Sequence, residues 1–405
     1  MARRDAIRLL IGSALIALIV VGLHWALDHQ NARAGTIRSS HPPPELAPGI
    51  SSPSTTGATA KRTTTSGAGD IEVCGVGRVA QSEDDPGANS FVNDLTKPAL
   101  KRWLAALRNS DDYRARATGI FMSTLFDDRH AERDDTREAR DELVAMAIGS
   151  GEPAVYAIAL KECALTSPDA GSSCSRLSPG GWAKLDQNNA VPWLMVAAAA
   201  RENNDAAAEA AAFAQASQAQ RSESYIFSML RYAQPDMPAD TTPLERWSLA
   251  ISMFGVEAAF AEPAQPALSH CSTAALQTKA VAQQCQALAE LWTTRPETLM
   301  DLMIGKSLGA RVGWPPQRTQ ALTEKANAYM QLTMEATPGR DDQWSCSGVE
   351  RGNAYFAKLM RMPEIGVMQE SLEQSAETVP ELARRYNQAM EKLVDEANKR
   401  EKPSP

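Results

Sequence analysis

The sequence predicts an all-α fold: an irregular solenoid or bundle of helical hairpins that follows one N-terminal transmembrane helix. Three observations lead to this prediction. Apolar residues recur every three or four positions through most of the region from residue 91 to residue 400. Short turns rich in Asn, Asp, Gly and Pro separate these amphipathic stretches. A long apolar run near the N-terminus has the length of a membrane-spanning helix.

The length and charge of the chain limit the classes of function to consider. Its 405 residues suffice for two or three average domains, or for one continuous domain of helical repeats. With 49 acidic against 41 basic residues the net charge is -8, which argues against broad adhesion to nucleic acids or anionic membranes. We therefore expect no nucleic-acid partner.

The N-terminus reads as a signal anchor. Residues 1–5 form a cytoplasmic stub, and Ala6 to Leu27 contains an apolar core long enough to span a bilayer. Arginines before and within its start favour a cytoplasmic N-terminus, which predicts a single-pass protein of a bacterial inner membrane with its folded domain in the periplasm. The alternative is a cleaved signal peptide, because Ala32-Arg33-Ala34 has the small-x-small form of a cleavage site, and the domain is then secreted to the periplasm.

Residues 28–70 read as a linker between the anchor and the folded region. From Gly35 to Asp70 the chain is rich in Ser, Thr, Pro and Gly and contains almost no large apolar residues. Such a segment buries too little apolar surface to offset its conformational entropy, so we expect a disordered spacer. The folded domain is expected to cover residues 71–400.

The cysteines predict disulfides. All six lie after the anchor, and an even number of cysteines in an exported region is typical of a disulfide framework. Six cysteines permit 15 pairings. The pairing we favour joins Cys163 with Cys174 and Cys271 with Cys285 as local staples, which leaves Cys74 with Cys346. The alternative is a metal site. Because the sequence contains no CxxC or CxxH spacing, we expect no bound metal.

The folded region opens with its only β-like segment, residues 71–80. Gly75, Gly77 and Ala80 match the relaxed dinucleotide fingerprint GxGxxA. A polar turn follows instead of the apolar helix whose N-terminus would receive a pyrophosphate, so we expect a short extended lead-in held by Cys74 and no cofactor.

Helical periodicity follows. Helices are predicted over Pro98–Arg108 and Asp112–Phe126, each with one apolar face. The charge run Asp127–Glu142, which includes His130, reads as a solvated helix start rather than a cation site. Two short alanine-rich helices, 143–148 and 154–163, continue the chain to the stretch with the clearest hairpin pattern.

That stretch, Trp182–Ala216, contains the end of one helix, a turn and a complete helical hairpin. Asp186-Gln187-Asn188-Asn189 and Asn203-Asn204-Asp205 supply the turn and capping residues. The spacing of Trp193, Phe213 and Ala216 resembles the tetratricopeptide repeat, although Gln187 replaces the usual Pro and Glu209 an expected small residue. The resemblance covers about one repeat and implies a helical domain that binds other proteins. Trp193 is predicted to anchor the core.

Further helices are predicted downstream. Residues 225–232 and 247–254 begin two of them, and His270–Glu290 reads as one long amphipathic helix. In one unbroken helix Cys271 and Cys285 lie about 21 Å apart, so their pairing requires a break near Ser272-Thr273 or Thr278. Glu370–Arg400 reads as a charged C-terminal helix.

One segment near residue 314 offers candidate binding residues. Arg311, Trp314 and Arg318 could bind an anion and stack on a sugar or peptide. The structural alternative is a helix end at Gly309 or Gly313, a buried tryptophan and a proline-initiated helix.

Several chemistries lack their motifs. The region after residue 70 has only His130 and His270, and it contains no HExxH, GxSxG, phosphate-loop or CxxCH motif, so no catalytic residue is predicted. We therefore expect a non-enzymatic envelope protein that binds another envelope protein or a peptide. The alternative is an enzyme acting on peptidoglycan or another glycan through a pair of carboxyl groups that the sequence does not single out.

Overall fold

The computed structural model describes residues 70–80, 89–126, 133–165, 172–259, 265–339 and 342–400. This part of the chain is all-helical apart from one β-hairpin, as predicted. The strands are β1 (Asp70–Val73) and β2 (Gly77–Ala80). The first eight helices are α1 (Asn89–Arg108), α2 (Tyr113–Phe126), α3 (Arg133–Ser150), α4 (Pro153–Leu165), α5 (Pro179–Leu185), α6 (Ala190–Glu202), α7 (Ala206–Ala216) and α8 (Met229–Ala233). The other eight are α9 (Pro243–Ala259), α10 (Gln265–His270), α11 (Lys279–Thr294), α12 (Leu299–Arg311), α13 (Pro316–Ala336), α14 (Cys346–Leu359), α15 (Glu364–Gln374) and α16 (Val379–Arg400).

The expected lead-in at residues 71–80 is a two-stranded antiparallel hairpin. Gly75 in its turn and Gly77 at the start of β2 adopt positive φ, a conformation that glycine takes without steric cost. The hairpin is attached to a segment far along the chain, because the Cys74 N–H donates to Trp344 O over 2.8 Å. Cys74 is also bonded to Cys346.

The hairpin predicted at Trp182–Ala216 is present. The Asn189 side chain accepts the Val191 N–H at the start of α6, and the Asp205 side chain accepts the Ala208 N–H at the start of α7. Phe213 is fully buried between these helices and their neighbours, whereas Trp193 is only partly buried and donates its indole N–H to Gln187 O. The core anchor is therefore Phe213 rather than Trp193.

The chain folds back on itself instead of stacking one hairpin on the next. Helix α9 packs against both α1 and α14, and α13 packs against α16. Trp103, Trp247 and Phe356, from the beginning, middle and end of the folded region, belong to one hydrophobic cluster, which we call the first cluster. A second cluster joins α6, α7, α11 and α12, and a third joins α12, α13, α15 and α16. Such long-range packing differs from a solenoid, in which each repeat contacts only its neighbours.

Several helix predictions were wrong in their bounds. The predicted helix His270–Glu290 is divided into α10, a 3₁₀ turn at Ala275–Gln277 and α11. This break is the one that the Cys271–Cys285 pairing required, and the disulfide is present. The segment after Tyr225 is a 3₁₀ turn followed by the short α8, and the C-terminal region forms two helices, α15 and α16. Helix α1 begins nine residues before Pro98 and contains that proline.

The third disulfide joins Cys163 with Cys174, so all three favoured pairings are confirmed. The predicted cytoplasmic stub, the anchor 6–27 and all of the spacer except Asp70 lie outside the described residues, as does His130 in the charge run. Among the helices that the structure does describe, none has the length and apolar character needed to cross a bilayer.

Candidate functional site

A pocket opens between the first and second hydrophobic clusters. Its volume is about 390 Å³, within the range of ligand pockets, roughly 300–1,000 Å³. Helices α6, α9, α11 and α12 contribute to it, together with the segment 222–231 and residues 359–364. Its walls are mainly apolar, with larger side chains from Leu194, Met195, Phe227, Phe254, Trp292, Ile304 and Met362.

Helix α6 supplies one wall. Val191, Leu194, Met195 and Ala198 follow one another at helical spacing and lie on the same face, which borders the pocket. The exposed Glu202 continues this line to the rim. Across the pocket, Met300 lines the rim while remaining half exposed.

Two carboxyl groups in the pocket wall each cap a distant helix. Glu257 of α9 is 3 % exposed and accepts the Leu230 N–H over 2.7 Å, at the first turn of α8. Glu364 at the start of α15 accepts the Leu299 N–H over 2.8 Å, at the first turn of α12. Unpaired N–H groups at helix starts favour such acceptors. These two hydrogen bonds thus join α9 to α8 and α15 to α12.

Burial makes both carboxyl groups weak acids. Loss of solvent raises the pKa of Glu257 to about 8, against the opposing effects of the Leu230 N–H and the Arg231 charge. Loss of solvent raises the pKa of Glu364 to about 7, against the Leu299 N–H and with a further increase from the nearby charge of Asp301. Near neutral pH both groups hold protons for a substantial fraction of the time.

Asp301 and Glu297 form the acidic edge where α12 begins. Asp301 and Thr298 complete a capping box, in which the Asp301 carboxylate accepts the Thr298 N–H over 2.9 Å. Burial raises the pKa of Asp301 to about 6 despite this bond. Burial also raises the pKa of Glu297, whose side chain makes no hydrogen bond or ion pair with another described residue. The charges of Arg231 and Arg221 act on this carboxyl group without bonding to it.

Arg231 is the one basic side chain that lines the pocket within the described chain. Its guanidinium donates to Ser228 Oγ over 2.5 Å, and its charge acts on Glu223, Glu257 and Glu297. Burial raises the pKa of Glu223, and the charge of Glu297 adds to that effect.

A buried polar network holds the 221–225 segment in place. Asn189 donates to Asp186 over 2.8 Å and to Glu223 O over 2.7 Å. Arg221 donates to Asp186 over 2.5 Å and to Glu223 over 2.6 Å, and the Tyr225 hydroxyl donates to Asp186. The turn residues predicted at the start of the hairpin thus also position one side of the pocket.

Tyr225 is held in a strained conformation at the pocket wall. Its φ is 62°, in the left-handed region that residues with a Cβ rarely adopt. Strain of this kind costs about 1–3 kcal/mol and is concentrated at functional sites in proteins. The network around Asp186 and Arg221 supplies the contacts that maintain it.

The candidate residues Arg311, Trp314 and Arg318 lie elsewhere. Arg311 donates to Leu268 O over 2.6 Å, and Arg318 forms a two-bond ion pair with Glu290 while stacking over the Trp314 ring at 3.4 Å. Trp314 is 9 % exposed and belongs to the second cluster. Arg318 is already ion-paired, the Arg311 guanidinium already donates to a backbone carbonyl, and the ring is covered. The buried ring and the start of α13 at Pro316 agree with the structural alternative, while α12 ends at Arg311, between Gly309 and Gly313.

The described ranges contain no assembled histidine-based or metal-binding site. His270 stacks on Phe213 with ring centroids 3.6 Å apart and hydrogen-bonds Gln284, and burial lowers its pKa. Among the described residues, no three His, Cys, Asp or Glu side chains are arranged to hold a metal ion.

Sequence reasoning missed the pocket because its charged groups come from separate parts of the chain. The sequence feature that could have indicated the pocket is Glu257, a single charged residue inside the apolar run of α9. Comparison with known proteins adds no independent assignment: no protein-family model, curated protein or solved structure matches the chain.

Proposed function

We propose that the chain is an envelope protein that binds a segment of another protein in the pocket of its helical domain. The observation that carries this proposal is the pocket itself: a concave, mainly apolar site of about 390 Å³ with a small number of charged groups. Sites of this composition are the usual places of ligand binding in proteins. The strained backbone of Tyr225 at its wall is further support.

The position of α6 supports a protein or peptide as the occupant. This helix is the first of the hairpin that resembles a tetratricopeptide repeat, and one of its faces borders the pocket. The rim residues Glu202 and Met300 are exposed, so an extended segment has access from solvent. We propose that the occupant is such a segment.

The disulfides support a location outside the cytoplasm. All six cysteines are paired, and disulfides persist in oxidising compartments such as the bacterial periplasm. Together with the apolar run at residues 6–27, this favours an inner-membrane protein whose domain faces the periplasm. Release into the periplasm after cleavage near Ala34 remains the alternative proposal.

Site-specific photocrosslinking tests the binding proposal. A photoreactive residue at Met300, on the pocket rim, is expected to form a protein adduct in intact envelopes. The same residue at Leu393, equally exposed on α16, serves as the control and is expected to form none. Ala198→Phe, which fills the pocket from α6, should remove the adduct, whereas Ala211→Phe on the exposed side of α7 should not. An adduct that survives Ala198→Phe, or no adduct at Met300, would contradict the proposal.

A glycan-cleaving enzyme is the second candidate function. It is favoured by one observation, that Glu257 and Glu364 border the same pocket with pKa values of about 8 and about 7, as a general acid requires. The test is release of soluble fragments from purified peptidoglycan, which Glu257→Gln or Glu364→Gln should abolish. Intact peptidoglycan after prolonged incubation with the wild-type chain would exclude this activity.

A further inference from the structure

We infer that the pocket selects a lysine or arginine side chain flanked by apolar residues in the bound protein segment. This inference rests on the proposed binding function and adds the chemistry of the segment. It is carried by the charge of the pocket lining together with the apolar character of its walls.

The pocket lining is acidic. Six carboxyl groups border it, and Arg231 is the single basic side chain among the described lining residues; the six are Glu202, Glu223, Glu257, Glu297, Asp301 and Glu364. Even with Glu257 and Glu364 protonated, the lining holds four other carboxyl groups and one guanidinium. Arg221 lies nearby, but its charge is already matched by Asp186 and Glu223. A positive group on the ligand is therefore attracted to the pocket, whereas a negative one is repelled.

Glu297 is the carboxylate best placed to receive that positive group. It lines the pocket, it is half buried, and its side chain has no hydrogen-bond or ion-pair partner in the described part of the chain. Its backbone is fixed, because its N–H donates to Asp301 and its carbonyl accepts the Ile365 N–H. A ligand cation supplies the hydrogen bonds of a carboxylate that stands on a fixed backbone.

The apolar walls account for the rest of the segment. The alkyl stem of a lysine or arginine packs on apolar surface while its charged end reaches a polar group. Leu194, Phe227 and Ile304 provide such surface, and they leave room for an apolar neighbour of the basic residue.

Binding of a cation should release protons from the pocket. Burial raises the pKa of Glu257, Glu364 and Asp301 to about 8, 7 and 6, and a nearby positive charge favours their ionised forms. Among these three groups, the resident positive charge of Arg231 acts on Glu257, whereas the charge of Asp301 acts on Glu364. The affinity for a basic peptide should therefore increase as the pH rises from about 5 to about 8.

Selection from a random heptapeptide library tests the inference directly. The full chain in detergent micelles and its Ala198→Phe variant are panned in parallel, and peptides enriched only on the wild-type chain are sequenced. We expect Lys or Arg next to Leu, Ile, Val or Phe. Acetylation of the lysine in the best peptide should weaken binding at least about tenfold, since a charged hydrogen bond contributes about 1.5–3 kcal/mol. Glu297→Gln should weaken binding of the unmodified peptide by a similar factor, whereas the exposed Glu350→Gln should leave it unchanged.

The outcomes separate this inference from the proposed function. Enrichment of peptides without basic residues, or equal binding of the acetylated peptide, overturns the inference and leaves the binding function standing. No enrichment over Ala198→Phe also overturns the inference, and the Met300 photocrosslink then decides the proposed function on its own. Binding that does not change with pH contradicts the involvement of the buried carboxyl groups.

Discussion

Glu257→Gln should make the folded domain more stable at neutral and mildly alkaline pH. The carboxyl group of Glu257 is buried, accepts the Leu230 N–H, and faces Arg231 and Glu364. Burial raises its pKa from 4.5 to about 8. Between these two values the unfolded chain has released a proton that the folded chain retains, so stability falls as the pH rises. Each pH unit in this interval costs about 1.4 kcal/mol, which gives about 2–3 kcal/mol between about pH 5 and pH 7.

Glutamine reproduces the protonated form of this group without titrating. Its amide oxygen can accept the Leu230 N–H, and its amide NH₂ replaces the donor of the protonated carboxyl. The measurement is urea unfolding with the disulfides intact at several pH values from about 5 to about 8, for the wild-type chain, Glu257→Gln and the exposed control Glu350→Gln. The gain in unfolding free energy for Glu257→Gln should increase with pH. If the curves of wild type and Glu257→Gln run parallel, Glu257 does not titrate with a raised pKa and the reasoning fails.

Two further predictions concern packing and the covalent framework. Gly352→Ala should destabilise the fold by about 1–3 kcal/mol, because its Cβ would lie 2.6 Å from Cε3 of the buried Trp247. Gly366→Ala, whose nearest neighbour is a flexible methionine sulfur at 3.4 Å, should be neutral or stabilise its helix by up to about 1 kcal/mol. Thermal unfolding of the two variants measures this difference. Replacing Cys74 and Cys346 by Ser should lower stability by roughly 5 kcal/mol, because this bond closes a loop with a sequence separation of 272, and an unchanged unfolding midpoint would contradict that estimate.

Local signals were sufficient for the hairpin at Trp182–Ala216. Asn189 and Asp205 cap the helices they were expected to cap, because each capping bond involves residues within three positions of each other. The disulfides were also accessible: two pairs are close in sequence, and the third follows by elimination. Such features depend on neighbouring residues, so sequence spacing contains most of the information.

Periodicity failed where tertiary contacts decide the backbone. Residues 270–290 keep an amphipathic pattern across the break between α10 and α11, so the pattern alone does not reveal it. The Cys271–Cys285 bond gave the better indication, because it cannot form in a straight helix. Tertiary contacts also decide the partners of Arg311 and Arg318. The sequence does not show these partners, Leu268 O and Glu290, because they come from other helices.

Two carboxyl groups of the pocket accept hydrogen bonds at helix starts, and they also lower the stability of the fold near neutral pH. The hydrogen bonds alone do not require this loss of stability. Glu257 and Glu364 each accept an N–H at the start of a distant helix, and a glutamine or asparagine oxygen can accept such a bond equally well. An amide would avoid the loss of stability that a buried, titrating carboxyl group imposes near neutral pH. Residues that lower the stability of a fold in this way are commonly found at functional sites. If the pocket binds a cation, the carboxyl groups recover this loss when the ligand is bound, so Glu257→Gln should stabilise the free protein and weaken binding of the basic peptide in the same sample. A purely structural Glu257 would show the first effect without the second.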